Sequence, residues 1–462
     1  MYHTIRYVVG ENNALHPYFD NLAHLANNLH NATLFRIKQV LSGTKKTTLT
    51  QNEQEVMDEI RSALPIMNAI REKASTKRKT EFQPFEMPTV KTSFLSNTFL
   101  DTLMKVTSNR DYHAPLPRQT AQHVIKEARG DIKNYFAALR AYKKNPEAFQ
   151  NAPKMPHYRK PGGMRNIPFT NQDCVIRDTA LKFPGTKNTL TLGDVIPNNA
   201  KLKQVEVKPY YGKFQVCVVY DDMIPGKQKP FRQPERIIAI DFGVDNIAAI
   251  ANNIGESGLL FKGGIVKAAN QWFNKRRAEI VSAITVGKPT THCVGSKSLS
   301  RLSMWRDGLL STELHTYAKK IVAKCVEWDI DTIVLGVNKG WKQESNIGKE
   351  NNQTFVNIPH HKLQQYITYM AEREGIQVVE QEESYTSKAS FLDNDFIPVY
   401  GEPGATEAKF SGYRIKRGLY KLKSRKVWVN ADLNGAGNIL RKAFPNAFNG
   451  KSHRFLKEII VM

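Results

Sequence analysis

Three acidic stretches stand out in a chain that is otherwise strongly basic. "RIIAIDFGVDN" places Asp241 at the end of an apolar run, and Gly243 permits a tight turn after it. "VNADLNGAGNIL" places Asp432 where a strand runs into a helix, and "VVEQEESYTSKAS" crowds Glu380, Glu382 and Glu383 at a strand end. Carboxylates on the rim of a packed sheet suit hard divalent cations, which take oxygen ligands on rigid backbone. Two such ions can drive phosphodiester hydrolysis. Each stretch also has a plainer reading. Asp241 could hydrogen-bond its own turn, Asp432 could cap its helix, and the glutamates could form a solvated turn balancing Lys388.

The elements around these residues follow a clear order. "MYHTIRYVVG" reads as a short strand, and residues 14 to 150 read mainly as helices. In "TAQHVIKEARGDIKNYFAALRAYKKN", Ile125, Ala128, Ile132, Tyr135, Phe136 and Leu139 share a face at helical spacing. A Pro-rich stretch near 145–165 stops that helix. Strand alternation follows, with a hairpin in "QVEVKPYYGKFQVCVVYDD" that the first strand could join. From 235 the pattern is three strands, two long helices (around 268–286 and 297–328), strand, helix, strand, helix. That is an α/β order, and it fits an RNase H-like arrangement with the first strand central and the fourth and fifth beside it.

The 462 residues carry 67 Lys+Arg against 43 Asp+Glu, a formal net charge of +24. Such an excess favours a polyanionic partner, with nucleic acid first because bound phosphates release counterions. No apolar run approaches the roughly 18 residues that span a bilayer, and no signal-peptide core opens the chain. A membrane partner is therefore not expected. The four cysteines, at 174, 217, 293 and 325, are scattered, so neither a zinc ribbon nor a disulfide framework is expected. A reduced, cytoplasmic location is expected.

"AIDFGVDNIAAI" resembles the first RuvC motif of TnpB, the RNA-guided DNA endonuclease of insertion sequences and a relative of type V CRISPR effectors (the OrfB family). "VNADLNGAGNIL" resembles its third motif. "LPRQTAQHVIKEARGDIKNYFAALRAYKKNPEAF", "PKMPHYRKPGG", "KQVEVKPYYGKFQVCVVYD" and "NQWFNKRRAEI" also resemble TnpB stretches, so the likeness covers most of the chain after about residue 115. The resemblance implies a multidomain α+β protein. A helical recognition lobe (14–154) is inserted in a small β-barrel-like wedge domain (1–13 plus 155–234). An RNase H-like (RuvC) nuclease domain (235–384 plus 428–462) follows, with a basic insertion at 385–427 in place of the zinc ribbon. It also implies two Mg²⁺ ions held by Asp241, a glutamate and Asp432, a guide RNA and a target DNA as partners, and a monomer in the complex.

Two departures from the family pattern matter. The second RuvC motif places its glutamate at the end of the fourth strand, in a stretch resembling "IVLGVNKG", where this chain has Gly336. The zinc-ribbon thiols are replaced by Ser387 and Ser390, so no structural zinc is expected. In the RNase H-like order the fifth strand is two positions from the first, roughly 10 Å at about 4.8 Å per strand. A glutamate at its end could reach ions shared with Asp241. "EESYTSK" and "GWKQESNIGKENNQTFVNIPHHKL" resemble a branch of TnpB with a relocated catalytic glutamate. Glu383 is the expected ligand, Glu382 the alternate, and Glu380 lies farther back along the strand.

Basic segments supply candidate nucleic-acid contacts. Residues 410–430 carry seven Lys/Arg and no acid: Arg414, Lys416, Arg417, Lys421, Lys423, Arg425 and Lys426, with Tyr413, Tyr420 and Trp428 interleaved. Spaced aromatics among basic residues suit single-stranded or unwound nucleic acid. Lys143, Lys144, Arg159, Lys160, Lys275, Arg276 and Arg277 complete the set. The expected activity is metal-dependent, RNA-guided cleavage of DNA next to a short flanking motif. The alternatives are a nuclease-dead RNA-guided binder, a self-sufficient transposase and a TnpB-derived CRISPR effector.

Overall fold

The computed structural model describes residues 2–113, 115–197, 199–225, 233–287, 295–337, 358–399, 401–402, 405–416, 418–423 and 427–462. The chain is a mixed α/β protein of two compact units, Met1–Ile224 and Pro225–Met462.

In the first unit, β1 (Tyr2–Val9) precedes helices α1 (His16–Gly43), α2 (Gln51–Arg78), α3 (Asn97–Val106), α4 (Arg110–His113) and α5 (Arg118–Lys144). Helix α2 begins at a capping box: the Thr50 hydroxyl accepts from the Glu53 N–H, and the Glu53 carboxylate accepts from the Thr50 N–H. That buried carboxylate also takes bonds from Ser42 and Lys46. The apolar face expected on α5 is real at Ile125, Ala128 and Ile132, which are buried. Strands β2 (Ile167–Thr170), β3 (Val175–Arg177), β4 (Ala180–Lys182), β5 (Thr189–Thr191), β6 (Lys201–Tyr210) and β7 (Lys213–Asp221) follow. β6 and β7 form the expected hairpin, and β1 pairs antiparallel along β7 over its whole length. The sheet order is β1-β7-β6-β2, with β3-β4-β5 as a separate sheet.

The second unit opens with β8 (Ile237–Asp241), β9 (Asn246–Asn252) and β10 (Gly258–Lys262). Helices α6 (Gly264–Thr285) and α7 (Lys297–Glu327), β11 (Thr332–Val337), α8 (His360–Arg373) and β12 (Gln377–Glu382) come next. β13 (Gly412–Lys416), β14 (Leu419–Leu422) and β15 (Trp428–Asn430) then lead into α9 (Ala431–Ala443) and β16 (Ile459–Val461). The main sheet runs β12-β11-β8-β9-β10-β16. β8, β11 and β12 are parallel neighbours, while β9 is antiparallel to β8 and β10. Side chains alternate across this sheet. Ile238, Ile240, Ile333 and Leu335 pack with α7 and α8 on one face. Ile237, Ala239 and Val334 pack with Ile439 and Leu440 of α9 on the other. The last strand, β16, carries no sequence signal strong enough to expect it. No helix among the described residues is long and apolar enough to cross a membrane.

Candidate active site

Asp241 ends β8, the central strand, and Glu383 directly follows β12, two strands away. The Glu383 N–H donates to the Val337 carbonyl at 3.2 Å, so it continues the β11–β12 ladder by one bond. Its side chain then turns toward β11. A Cβ built on Gly336 would stand 2.7 Å from Glu383 Oε2 and 3.1 Å from the Ile240 carbonyl oxygen, beside Asp241. The missing side chain at 336 is the space that the Glu383 carboxylate enters. Gly435 of α9 does the same for Asp241, since a Cβ there would lie 2.6 Å from Asp241 Oδ2.

Asp432 lies in the first turn of α9. It does not cap that helix: the Asn430 side chain does, accepting from the N–H groups of Asp432 and Leu433. The Asp432 carboxylate instead accepts from Asn246 Nδ2 at 2.7 Å and Arg414 at 2.8 Å. Lys262 in turn donates to Asn246 Oδ1 at 2.9 Å. Asn246, within the Asp241 motif, therefore aims the third carboxylate, a role the sequence reading missed. The plain reading of Asp241 also fails, because among the described residues no N–H of its own turn bonds its side chain.

The electrostatics tie the three acids together. Burial raises the Asp241 pKa well above the ordinary carboxylate value, the charges of Glu383 and Asp432 add to this, and Arg414 opposes it. Burial, with a contribution from Glu382, pushes Glu383 up to about 7. Glu382 behaves differently. Burial would raise it, but hydrogen bonds from Lys442 and Ser384 outweigh that and hold it below its usual value. Its carboxylate is spent on Lys442 at 2.6 Å and on the Ser384 N–H at 2.7 Å. Glu380 pairs with Leu335 farther back and is exposed.

Among the described residues no three His, Cys, Asp or Glu side chains stand close enough to form a finished metal cluster. The donor set still fits a hard divalent cation: its atoms are carboxylate oxygens, two beside room that a Cβ would fill, and burial sets their charges against one another. Asp241, Glu383 and Asp432 are the residues that could hold it.

The segment after Glu383 is fixed by hydrogen bonds. Asn434 donates to the Ala389 carbonyl and accepts from the Phe391 N–H; Asn438 donates to the carbonyls of Thr386 and Ala389. Asp395 accepts from the N–H groups of Ser390 and Ser411. Ser390 and its neighbours are thus ordered by amide and carboxylate side chains where soft ligands are missing.

Of the basic residues, Lys143, Lys144, Arg159, Lys160, Lys275, Arg276, Arg277, Arg414, Lys416 and Lys423 are exposed, and Lys421 is half-buried. Arg417, Arg425 and Lys426 lie outside the described residues. Tyr420 is a correction. Its ring is fully buried against Gly412 and its hydroxyl donates to the Lys388 carbonyl at 2.8 Å, so it cannot stack on a base. Tyr413 and Trp428 are exposed and can.

Two family models match the chain: OrfB_IS605, described as a probable transposase, over residues 215–342, and the Cas12f1-like TNB domain over residues 360–439. A curated relative, the CRISPR-associated endodeoxyribonuclease Cas12f1 of Sulfoacidibacillus thermotolerans, is 26% identical over 218 residues. One stretch of the chain is thus similar to the OrfB proteins and another to Cas12f1. The alignment spans 46% of this chain and 46% of that relative, somewhat less than half of each. The OrfB match contains Asp241 and Gly336, and the TNB match contains Glu383 and Asp432. Among solved structures, a Cas12f1–sgRNA–target DNA complex aligns over 95% of this chain and 98% of its own, with 15% identity and a TM-score of 0.44. The mini-RNA-guided endonuclease CRISPR-Cas phi3 aligns over 98% and 93%, with 10% identity and a TM-score of 0.43.

Proposed function

We propose that the chain is an RNA-guided, metal-dependent DNA endonuclease that cuts target DNA next to a short flanking motif. Its relatives are named as an endodeoxyribonuclease and as a probable transposase, which supports a nuclease encoded by a mobile element. The observation that carries the reading is the Glu383 carboxylate seated over Gly336, beside the strand end that presents Asp241. The main-sheet order, with the first strand central and the fourth and fifth beside it, favours an RNase H-like (RuvC) domain at 235–384 plus 428–462. The pairing of β1 with β7 favours a wedge-like β domain at 1–13 plus 155–234, with the helices of 14–154 as a recognition lobe.

Asp241, Glu383 and Asp432 would hold two divalent cations, with Mg²⁺ the hard ion that such oxygen donors suit. When bound, the ions supply Lewis acidity at the scissile phosphodiester. The protein's own part is orientation: Gly336 and Gly435 admit two carboxylates, and Asn246 aims the third. Exposed Arg414, Lys416, Tyr413 and Trp428 offer phosphate contacts and stacking faces near Asp432. The partners are a guide RNA, which reads the target by base pairing, and the target DNA.

The test is cleavage of a matched DNA by the purified protein–guide RNA complex. Asp241→Ala and Asp432→Ala should abolish cutting and leave RNA binding intact. Normal cutting by Asp241→Ala refutes the reading. A second reading, guided binding without cleavage, draws on the engagement of Asp432 by Arg414. Guided cutting in Mg²⁺ excludes it.

A further inference from the structure

Lys442 lies on α9, on the same helix as Asp432, and its side chain is only 8% exposed. Its ammonium donates to Glu382 Oε2 at 2.6 Å, to the Ser384 carbonyl at 3.2 Å and to the Pro398 carbonyl at 3.2 Å. An ammonium has three N–H donors, and here each has an acceptor. Two of the three acceptors belong to the residues on either side of Glu383.

Stability alone is a poor reason for this arrangement. A buried ion pair can often be exchanged for apolar side chains with little loss, because desolvation offsets the attraction. What an apolar pair could not do is hold the backbone at 384 and the carboxylate at 382 from one point. The same helix face also reaches the rest of the turn. Asn438, one helical turn before Lys442, donates to the Thr386 carbonyl, and Thr386 donates from both its N–H and its hydroxyl to the Glu383 carbonyl. Asn434, Asn438 and Lys442 are spaced four apart, so they form one stripe along α9. The helix that presents Asp432 at its first turn thus grips the turn that presents Glu383.

We propose that Lys442 is a positioning residue for the cleavage site. It brackets Glu383 from both sides, keeps its carboxylate over Gly336, and occupies Glu382 so that the neighbouring acid cannot take its place. It acts through residues 382 and 384 and touches no reacting atom. The inference rests on Glu383 being a ligand of the proposed site.

The test uses the full chain with its guide RNA and a matched DNA under single-turnover conditions. The paired variant Lys442→Met/Glu382→Leu leaves no unpaired buried charge. It is expected to fold and to bind guide and target normally, while cleavage falls about 10- to 100-fold, the cost of a small misplacement. The rise in Tm caused by Mg²⁺ should shrink alongside it, a readout independent of cutting. Lys442→Arg, which keeps a cationic donor, should recover part of both. Lys442→Gln gives a second route should the paired variant not fold, with the same losses expected. Wild-type cleavage and an unchanged Mg²⁺ response in a folded variant overturn the proposal, as does a loss that only follows weakened nucleic-acid binding. If the ligand assignment itself is wrong, the result differs: Glu383→Gln cuts normally.

Discussion

Gly336 and Glu383 share one space: a Cβ on the glycine would stand 2.7 Å from Oε2 of the glutamate. Ile439 Cδ1 of α9, also 2.7 Å from that Cβ position, closes the other side. The strand beside β8 therefore brings no carboxylate of its own, and at the same point admits the carboxylate of the next strand. A glycine in the fourth strand and a glutamate after the fifth are two ends of one arrangement.

Gly336→Ala tests that arrangement by adding a single methyl group. The methyl must displace both Glu383 and Ile439, and overpacking of this kind costs about 1–3 kcal/mol. The expected outcome is a modest fall in thermal stability, a large fall in guided cleavage and no change in guide RNA affinity. A stable Gly336→Ala protein that cuts at the wild-type rate would show that Glu383 does not need this space.

The raised acids give the protein a pH signature. A carboxyl whose folded pKa lies above its unfolded value binds more protons when folded. Its contribution is thus favourable at low pH and is lost as pH rises from the unfolded value, near 4.5, through about 7 for Glu383. Asp241 shifts in the same direction for the same first reason, burial. Without divalent metal, Asp241→Asn should raise Tm at pH 8 and do so much less at pH 4.5. A gain of about 1 kcal/mol corresponds to about 2–4 °C for a unit of this size. Thermal scans at the two pH values with a chelator present measure it. A Tm gain at pH 8 no larger than that at pH 4.5 would mean that the folded protein does not disfavour the charged form of Asp241.

The turn after Glu383 should depend on buried amides. Asn438→Ala removes the donor shared by the Thr386 and Ala389 carbonyls, both within the fold. An unmet buried acceptor costs about 1–3 kcal/mol, so the variant should unfold at lower denaturant concentration. Purified protein should carry no stoichiometric zinc, and a zinc chelator should leave its unfolding curve unchanged. Elemental analysis and chelator titration check both.

Much of the second unit was legible because its strands are buried on both faces. "IIAID" and "DTIVLGV" are nearly continuous apolar runs, and such runs report parallel central strands directly. Asp241 ends such a strand and Glu383 follows the edge strand β12 beside β11, so their closeness followed from strand order. Asp432 was legible as a candidate but not in its detail, because nothing local says that Asn430 takes over the capping and Asn246 holds the carboxylate. The β13–β15 sheet was hidden by its charges, since "GYRIK" and "LYKL" read as a basic segment. Tyr420 was misjudged for the same reason: its neighbours are cationic, but a strand alternates, and its ring points into the core. The stripe of Asn434, Asn438 and Lys442 has a visible i, i+4, i+8 spacing. Its meaning, a grip on a distant turn, emerges only when the helix is packed. β16 is three residues long and takes its partner from β10, a contact no local pattern encodes.

The most direct measurement is guided cleavage by Glu383→Gln, run beside Glu380→Ala under single-turnover conditions with DNA binding monitored in parallel. Glu383→Gln should bind guide and target as the wild type does and lose at least about 100-fold in cleavage, as expected when a ligand acting only on the reaction is removed. Glu380→Ala, on the exposed side of β12, should cut normally. A Glu383→Gln protein that cuts at the wild-type rate would contradict the assignment of Glu383 to the site.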